Sequence, residues 1–167
     1  MSALRAAIFS AILLTLSGLA SAAAPITVGQ LLERAEQGDR QSLLMLAAGG
    51  KLVFPDGGLT SVIDTGPELS ELMGQLTVRQ SLYVLTIYAD SGFLATDPDA
   101  WRSNTKPDPV ITCTWAMRAA NYPLDGSRED KTSAEMLRGM ADEMAQRLDD
   151  DERAKCLSLG KNWTLKP

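Results

Sequence analysis

The sequence predicts an all-α protein: a single small domain of five to six helices arranged in hairpins and stapled by one disulfide. Three observations lead to this prediction. Apolar residues recur at spacings of three and four along most of the chain after residue 22. Residues that suit helix N-caps precede these segments, whereas strand-like alternation is brief. The chain also contains two cysteines, Cys113 and Cys156, which form one pair.

The first 22 residues predict a cleaved secretory signal. Arg5 precedes an apolar run that closes on a small-x-small cleavage site at residues 20–22. The run is too short to span a bilayer as a helix, so we expect no stable membrane insertion after cleavage. Residues 23–167 are then one exported domain, periplasmic or secreted, because the alanine-rich signal is typical of bacteria.

A helical hairpin is predicted at the start of this domain. Thr27 and Gln30 have the spacing of a capping box, and Gly38 ends the first helix. Asp39 caps the second helix, which runs to the glycines at positions 49–50. Their short connection favours antiparallel packing. The expected apolar faces are Val28, Leu31, Leu32 and Ala35 in the first helix, and Leu43, Leu44, Leu46 and Ala47 in the second.

Turn-forming residues then predict an ordered loop over residues 51–66. Pro67 suits the first turn of the next short helix. Thr77 and Gln80 repeat the capping-box spacing and begin a helix that ends near Asp90. Its apolar positions, Val78, Leu82, Leu85 and Tyr88, predict the most buried helix of the chain.

Prolines make residues 96–109 a second connector, because they block a long helix. A helix follows over residues 110–121 and another starts at about Thr132. Asp149 and Glu152 have cap spacing and begin the last helix. In an oxidising compartment, Cys113 and Cys156 are expected to form a disulfide that staples the fifth helix to the last one.

Composition excludes several kinds of function. The chain has no histidine, so a Ser-His-Asp triad, a Cys-His dyad and a His-bearing zinc site are excluded. Its net charge of −5 gives no electrostatic footprint for nucleic acid, although it suits a basic protein partner. No metal-ligand pattern or cofactor motif is present, so we expect no metal, no cofactor and no enzymatic activity.

Two sets of residues are candidates for function. Phe54 and Asp56 in the first connector, and Trp101 in the second, are candidate partner-binding residues because connecting loops lie on the surface and Trp is favoured at interface hot spots. Trp101 is equally compatible with a core position. Glu68 and Glu71, one helical turn apart, are the best carboxylate pair for acid and base catalysis, but this spacing is also that of a solvated helix surface.

Methionines repeat at helical spacing near the end of the chain. Met136, Met140 and Met144 lie on one stripe of a helix. Such stripes more often fill a core, and the alternative is an adaptable groove for a partner.

The helical segments resemble the Tai/Rap-type periplasmic immunity proteins. The similar segments are residues 27–33, residues 77–80 leading to Val84 and Tyr88, and residues 116–123. This resemblance implies an inhibitor that protects bacteria against peptidoglycan-attacking toxins delivered by type VI secretion. The partner would then be a basic toxin, steered by the acidic surface of this chain.

A second resemblance is to Sel-like helical repeat proteins. It rests on residues 35–39, residues 115–120 and the tail from 148 to 163, and it implies a scaffold in envelope assembly or signalling. The sequence therefore favours an exported protein-binding domain, an immunity-type inhibitor in its sharper form. The alternatives are a Sel-like scaffold and a small cell-wall hydrolase that uses Glu68 or Glu71.

Overall fold

The computed structural model describes residues 26–49, 62–63, 66–91 and 108–166. These residues form seven helices and no strand, which confirms the all-α class. The number of helices exceeds the expected five to six. Every segment that begins with an N-cap residue or a first-turn proline forms a helix of its own, including the short one that begins at Pro67. The helices are α1 (Val28–Glu36), α2 (Arg40–Gly49), α3 (Pro67–Gln75), α4 (Val78–Asp90), α5 (Pro109–Asn121), α6 (Arg128–Gln146) and α7 (Asp150–Lys161).

Capping boxes begin three of these helices, as the spacing predicts. In α1, the Thr27 hydroxyl accepts from the Gln30 amide at 3.2 Å, and the Gln30 side chain accepts from the Thr27 amide at 3.0 Å. Thr77 and Asp149 make equivalent pairs at the starts of α4 and α7. The acidic cluster at residues 149–152 is therefore a helix start.

The start of α6 differs from the prediction. The helix begins at Arg128 rather than near Thr132, because Ser127 is its N-cap and accepts from the Asp130 amide at 3.0 Å. The polar turn before α6 thus supplies the cap.

Helix α5 is the centre of the fold, so the prediction that α4 is the most buried helix is wrong. Every residue from Thr112 to Ala120 is buried, and α5 packs against α4, α6 and α7. Helices α1 and α2 pack against each other across residues 37–39, and α2 also contacts α3 and α4. The four apolar residues expected to be inward in α1 are all buried. The second predicted face is buried at Leu43, Leu46 and Ala47, with Leu44 partly exposed.

The predicted disulfide is confirmed. Cys113 in α5 and Cys156 in α7 are both fully buried, with their Cα atoms 5.9 Å apart. One turn further along α7, Gly160 faces Met117 so closely that a Cβ atom at Gly160 would lie 2.4 Å from the Met117 Cβ. The disulfide and this close approach hold α7 against α5.

A segment after α7, residues 162–166, returns to the start of the described chain; we call it the C-terminal strap. The indole Nε1 of Trp163 donates to the Ala35 carbonyl at 3.0 Å, and the Lys166 amide donates to the Gly38 carbonyl at 2.8 Å. Gly38 has a φ of 87°, and a Cβ atom there would lie 2.1 Å from the Thr164 carbonyl oxygen. The turn between α1 and α2 therefore requires glycine for two reasons: its φ is positive, and a side chain would collide with the strap.

Several predictions fall outside the described residues. They are the signal sequence at residues 1–22, most of the ordered loop at residues 51–66 and of the connector at residues 96–109, and the candidate contact residues Phe54, Asp56 and Trp101. None of the seven described helices combines the length and the hydropathy that a bilayer-crossing helix requires.

Candidate functional site

A groove runs between α4 and α6, with a volume of about 240 Å³. We call it the α4–α6 groove. The first two turns of α4, the turn before α6 and the first three turns of α6 line it, and the side chains that define its chemistry are Arg79, Tyr83, Glu129, Asp130, Met136 and Leu137. None of these residues was identified as a site residue from the sequence, where Met136 was considered only as part of the methionine stripe.

A buried ion pair lies in this groove. The Arg79 Nε donates to Asp130 Oδ1 at 2.5 Å, and Nη2 donates to Asp130 Oδ2 at 3.2 Å. The two side chains are 3% and 12% exposed. This is the side-on, two-bond arrangement in which arginine binds a carboxylate with defined geometry.

The rest of the Arg79 guanidinium binds the end of α5. Its Nη1 donates to the Ala119 carbonyl, and Nη2 donates to the carbonyls of Tyr122 at 2.7 Å and Pro123 at 3.2 Å. These carbonyls lie at or just beyond the helix C-terminus, where backbone acceptors lack helical partners. Arg79 therefore has a structural role: its hydrogen bonds connect α4 to α5 and, through Asp130, to α6.

Asp130 is held by two further contacts. Its Oδ2 accepts from the Asp125 amide at 3.0 Å, and its own amide donates to the Ser127 hydroxyl. The hydrogen bond from Arg79 is the main cause that lowers the pKa of Asp130 below its ordinary value, and the Asp125 amide and the charge of Arg79 add to it. Asp130 is thus a carboxylate at neutral pH.

Part of the groove wall is apolar, and the uncharged polar residues Thr77, Gln80, Ser127 and Ser133 form the rest of its neutral lining. Tyr83 is partly buried on the α4 side, Leu137 is 1% exposed, and Met136 is 50% exposed on the α6 side. Of the methionine stripe, Met140 and Met144 pack against the two parts of the core. Met136 alone of the three remains half in solvent, at the groove.

The rim of the groove is acidic. Asp125 accepts from the Ser127 amide at 2.7 Å, and Glu129 is exposed. Within the described residues, the Glu129 carboxylate forms no ion pair or hydrogen bond. With Asp130, the described residues that line the groove include three carboxylates and one guanidinium, so together they carry net negative charge.

A second buried arginine lies beneath the C-terminal strap. The Arg118 guanidinium carbon is 4.3 Å from the centroid of the Trp115 ring and 5.7 Å from that of Trp163, and the side chain is 6% exposed. Its Nε and Nη1 have no hydrogen-bond partner among the described residues. Burial lowers the pKa of Arg118 to about 10, opposed by the charge of Glu36. Arg118 is therefore still a cation at neutral pH, stabilised by two aromatic rings.

The remaining acidic candidates lie elsewhere. Glu68 and Glu71 are exposed on α3 and do not line the α4–α6 groove. In the part of the chain that the structure describes, no three or more Cys, Asp or Glu side chains are grouped so that they could hold a metal ion.

Comparisons of the chain with protein-family models, with curated proteins and with solved structures gave no match.

Proposed function

We propose that this chain is an exported protein-binding domain of the bacterial periplasm and that it contacts its partner through the α4–α6 groove. The observation that carries the proposal is the exposure of Met136 beside Tyr83 in a concave surface formed by two helices. Methionine and tyrosine are enriched at protein interfaces, and a concave site on rigid helices preserves its shape on binding.

Export is supported by two features. The start of the sequence has the pattern of a cleaved secretory signal, and the chain has a fully buried disulfide, a cross-link that persists in oxidising compartments such as the periplasm. Together they favour a function outside the cytoplasm.

The sharper form of the proposal is an immunity-type inhibitor. The resemblance to Tai/Rap-type proteins suggests a cell-wall-attacking toxin as partner, and the net charge of −5 favours a basic one by electrostatic steering. Occupation of the toxin's active site by this chain would block cell-wall hydrolysis.

A Sel-like scaffold is the second candidate. It is favoured by one observation: α1 and α2 are consecutive helices that pack against each other across a short connection. Helical pairs of this kind build the binding surfaces of repeat proteins.

The experiment uses the protein recovered from the periplasm of a bacterial host, with its N-terminus mapped by mass. Three baits are presented to envelope extract: the wild type, Met136→Ser, and the matched control Leu159→Ser. Leu159 is 45% exposed on α7, outside the groove, so its replacement likewise removes one half-exposed apolar side chain from a helix surface. Recovered partners are identified and assayed for cell-wall hydrolysis with and without the bait.

We expect the wild type and Leu159→Ser to retain one stoichiometric partner, whose lytic activity falls on binding. Met136→Ser should retain about tenfold less, as for loss of an interface hot spot. Several partners without lytic activity would favour the scaffold. Failure to retain any partner, or equal retention by all three baits, would contradict the proposal.

A further inference from the structure

We propose that the α4–α6 groove accepts a lysine or arginine side chain of the partner, beside which the partner carries an apolar residue. The inference rests on the proposed function and specifies the chemistry that the groove recognises. It follows from the groove's size, its uncompensated charge and the position of its apolar wall.

Size limits what can occupy the groove. Its volume of about 240 Å³ is below the roughly 300–1,000 Å³ of typical small-molecule and cofactor sites. One or two protein side chains suit this space better than a cofactor does.

The charges that line the groove determine whether a cationic or an anionic group binds there. Arg79, the one cation among the described residues that line the groove, already makes five hydrogen bonds, to Asp130 and to three backbone carbonyls. It therefore has little donor capacity for an incoming anion. Glu129, by contrast, has no ion-pair partner within the described residues, and Asp125 adds a second negative charge at the rim. A cationic group gains from both carboxylates, whereas an anionic group is repelled by them.

The apolar part of the groove wall favours a long side-chain stem and a neighbouring apolar residue in the partner. The methylene stem of lysine or arginine packs on apolar surface while its charged end remains at a polar rim, and Tyr83, which lines the groove, supplies an aromatic ring of the kind that pairs with cations. Met136, half exposed and conformationally adaptable, offers its side chain to the neighbouring apolar residue. A basic residue beside an apolar one thus matches both parts of the groove.

The test uses two blocked tetrapeptides that differ in one residue: acetyl-Ala-Lys-Leu-Ala-amide and acetyl-Ala-Glu-Leu-Ala-amide. Each is titrated to millimolar concentration into the ¹⁵N-labelled, oxidised protein, and amide shifts are followed at low and high salt. The wild type is compared with Glu129→Gln and with Asp142→Asn. Both variants remove one carboxylate charge from an exposed position of α6, but Asp142 does not line the groove.

We expect the lysine peptide to produce saturable shifts at groove residues, weakened by salt because the contact is electrostatic. Affinity should fall about two- to fivefold in Glu129→Gln, the range for a solvent-accessible ion pair, and stay unchanged in Asp142→Asn. Absence of groove shifts with the lysine peptide, equal shifts with the glutamate peptide, or equal weakening in both variants would overturn the inference.

These outcomes are separable from failure of the proposed function. A partner retained by the wild type but not by Met136→Ser, with no peptide binding and no effect of Glu129→Gln, overturns only the preference for a basic residue. Peptide binding at the groove without any retained partner supports the inferred chemistry and contradicts the proposed function.

Discussion

Arg79 and Asp130 are 51 residues apart in the chain and form a side-on ion pair that joins the first turn of α4 to the first turn of α6. The same guanidinium binds the carbonyl oxygens at the end of α5. One side chain therefore sets the relative positions of the three helices at this end of the domain, and the α4–α6 groove keeps its shape because of it.

Replacement of Arg79 by Met should lower the free energy of unfolding by up to about 3–5 kcal/mol, because it leaves a partly buried carboxylate and several carbonyls without their donor. Urea unfolding followed by circular dichroism measures the loss. Arg138→Met, at an exposed site of α6, is the control and should change stability by about 0.5 kcal/mol or less. A loss in Arg79→Met no larger than in the control would show that the pair does not stabilise the fold.

Stability should decrease in acid. The folded-state pKa of Asp130 is lowered by its hydrogen bond from Arg79, and that of Asp39 is lowered by hydrogen bonds from Ser42. Each carboxylate therefore stabilises the fold fully above its unfolded pKa of about 3.9, and the stabilisation is lost as pH falls through the lower folded value. Urea unfolding at a series of pH values should show the decline beginning near pH 4. In Asp130→Asn the decline should be shallower, and a profile parallel to the wild type would contradict the assignment.

Two glycines provide a matched test of the C-terminal strap. Gly38 and Gly126 both have positive φ, at 87° and 91°, so alanine at either site carries a similar backbone cost of about 1–2 kcal/mol. A Cβ atom at Gly38 would also collide with the Thr164 carbonyl, whereas nothing lies within 4 Å at Gly126. Gly38→Ala should therefore destabilise more in urea unfolding and change the tryptophan fluorescence, to which Trp163 contributes, as the strap moves. Equal losses with unchanged fluorescence would mean that the strap does not rest on this turn.

Loss of the disulfide should weaken the fold. Cys113 and Cys156 close a loop with a sequence separation of 43, for which the chain-entropy relation gives a loss of up to about 4 kcal/mol. The double variant Cys113→Ala, Cys156→Ala, compared with the oxidised wild type in urea, measures it. An unchanged midpoint would show that packing between α5 and α7, including the Gly160 contact with Met117, suffices without the cross-link.

Local signals in the sequence predicted most of the fold. Capping boxes at Thr27, Thr77 and Asp149 begin helices because both of their hydrogen bonds form within four consecutive residues. The disulfide followed from having one cysteine pair in a chain whose first 22 residues have the pattern of a secretory signal. The start of α6 was placed too late because the capping role of Ser127 was not recognised within a polar turn.

The site was not predictable in the same way. From the sequence, an arginine within a helix is normally expected on the solvent-exposed side. Arg79, in the first turn of α4, and Arg118, in α5, are both buried instead. Their burial depends on partners far along the chain, such as Asp130 and Trp163. For Arg118 the sequence does contain a useful signal. The residues of α5 are apolar on every side of the helix, so a charged side chain on it has no exposed face.

The most direct test of the α4–α6 groove as the contact surface is site-specific photocrosslinking in the native envelope. The photoreactive residue p-benzoylphenylalanine is placed at position 136 in the groove or at position 159 on α7, two sites of similar exposure. We predict that position 136 cross-links to a single partner protein and that position 159 does not. Cross-linking from position 159 alone, or from neither position while the partner is still retained, would contradict the proposal that the groove is the binding surface.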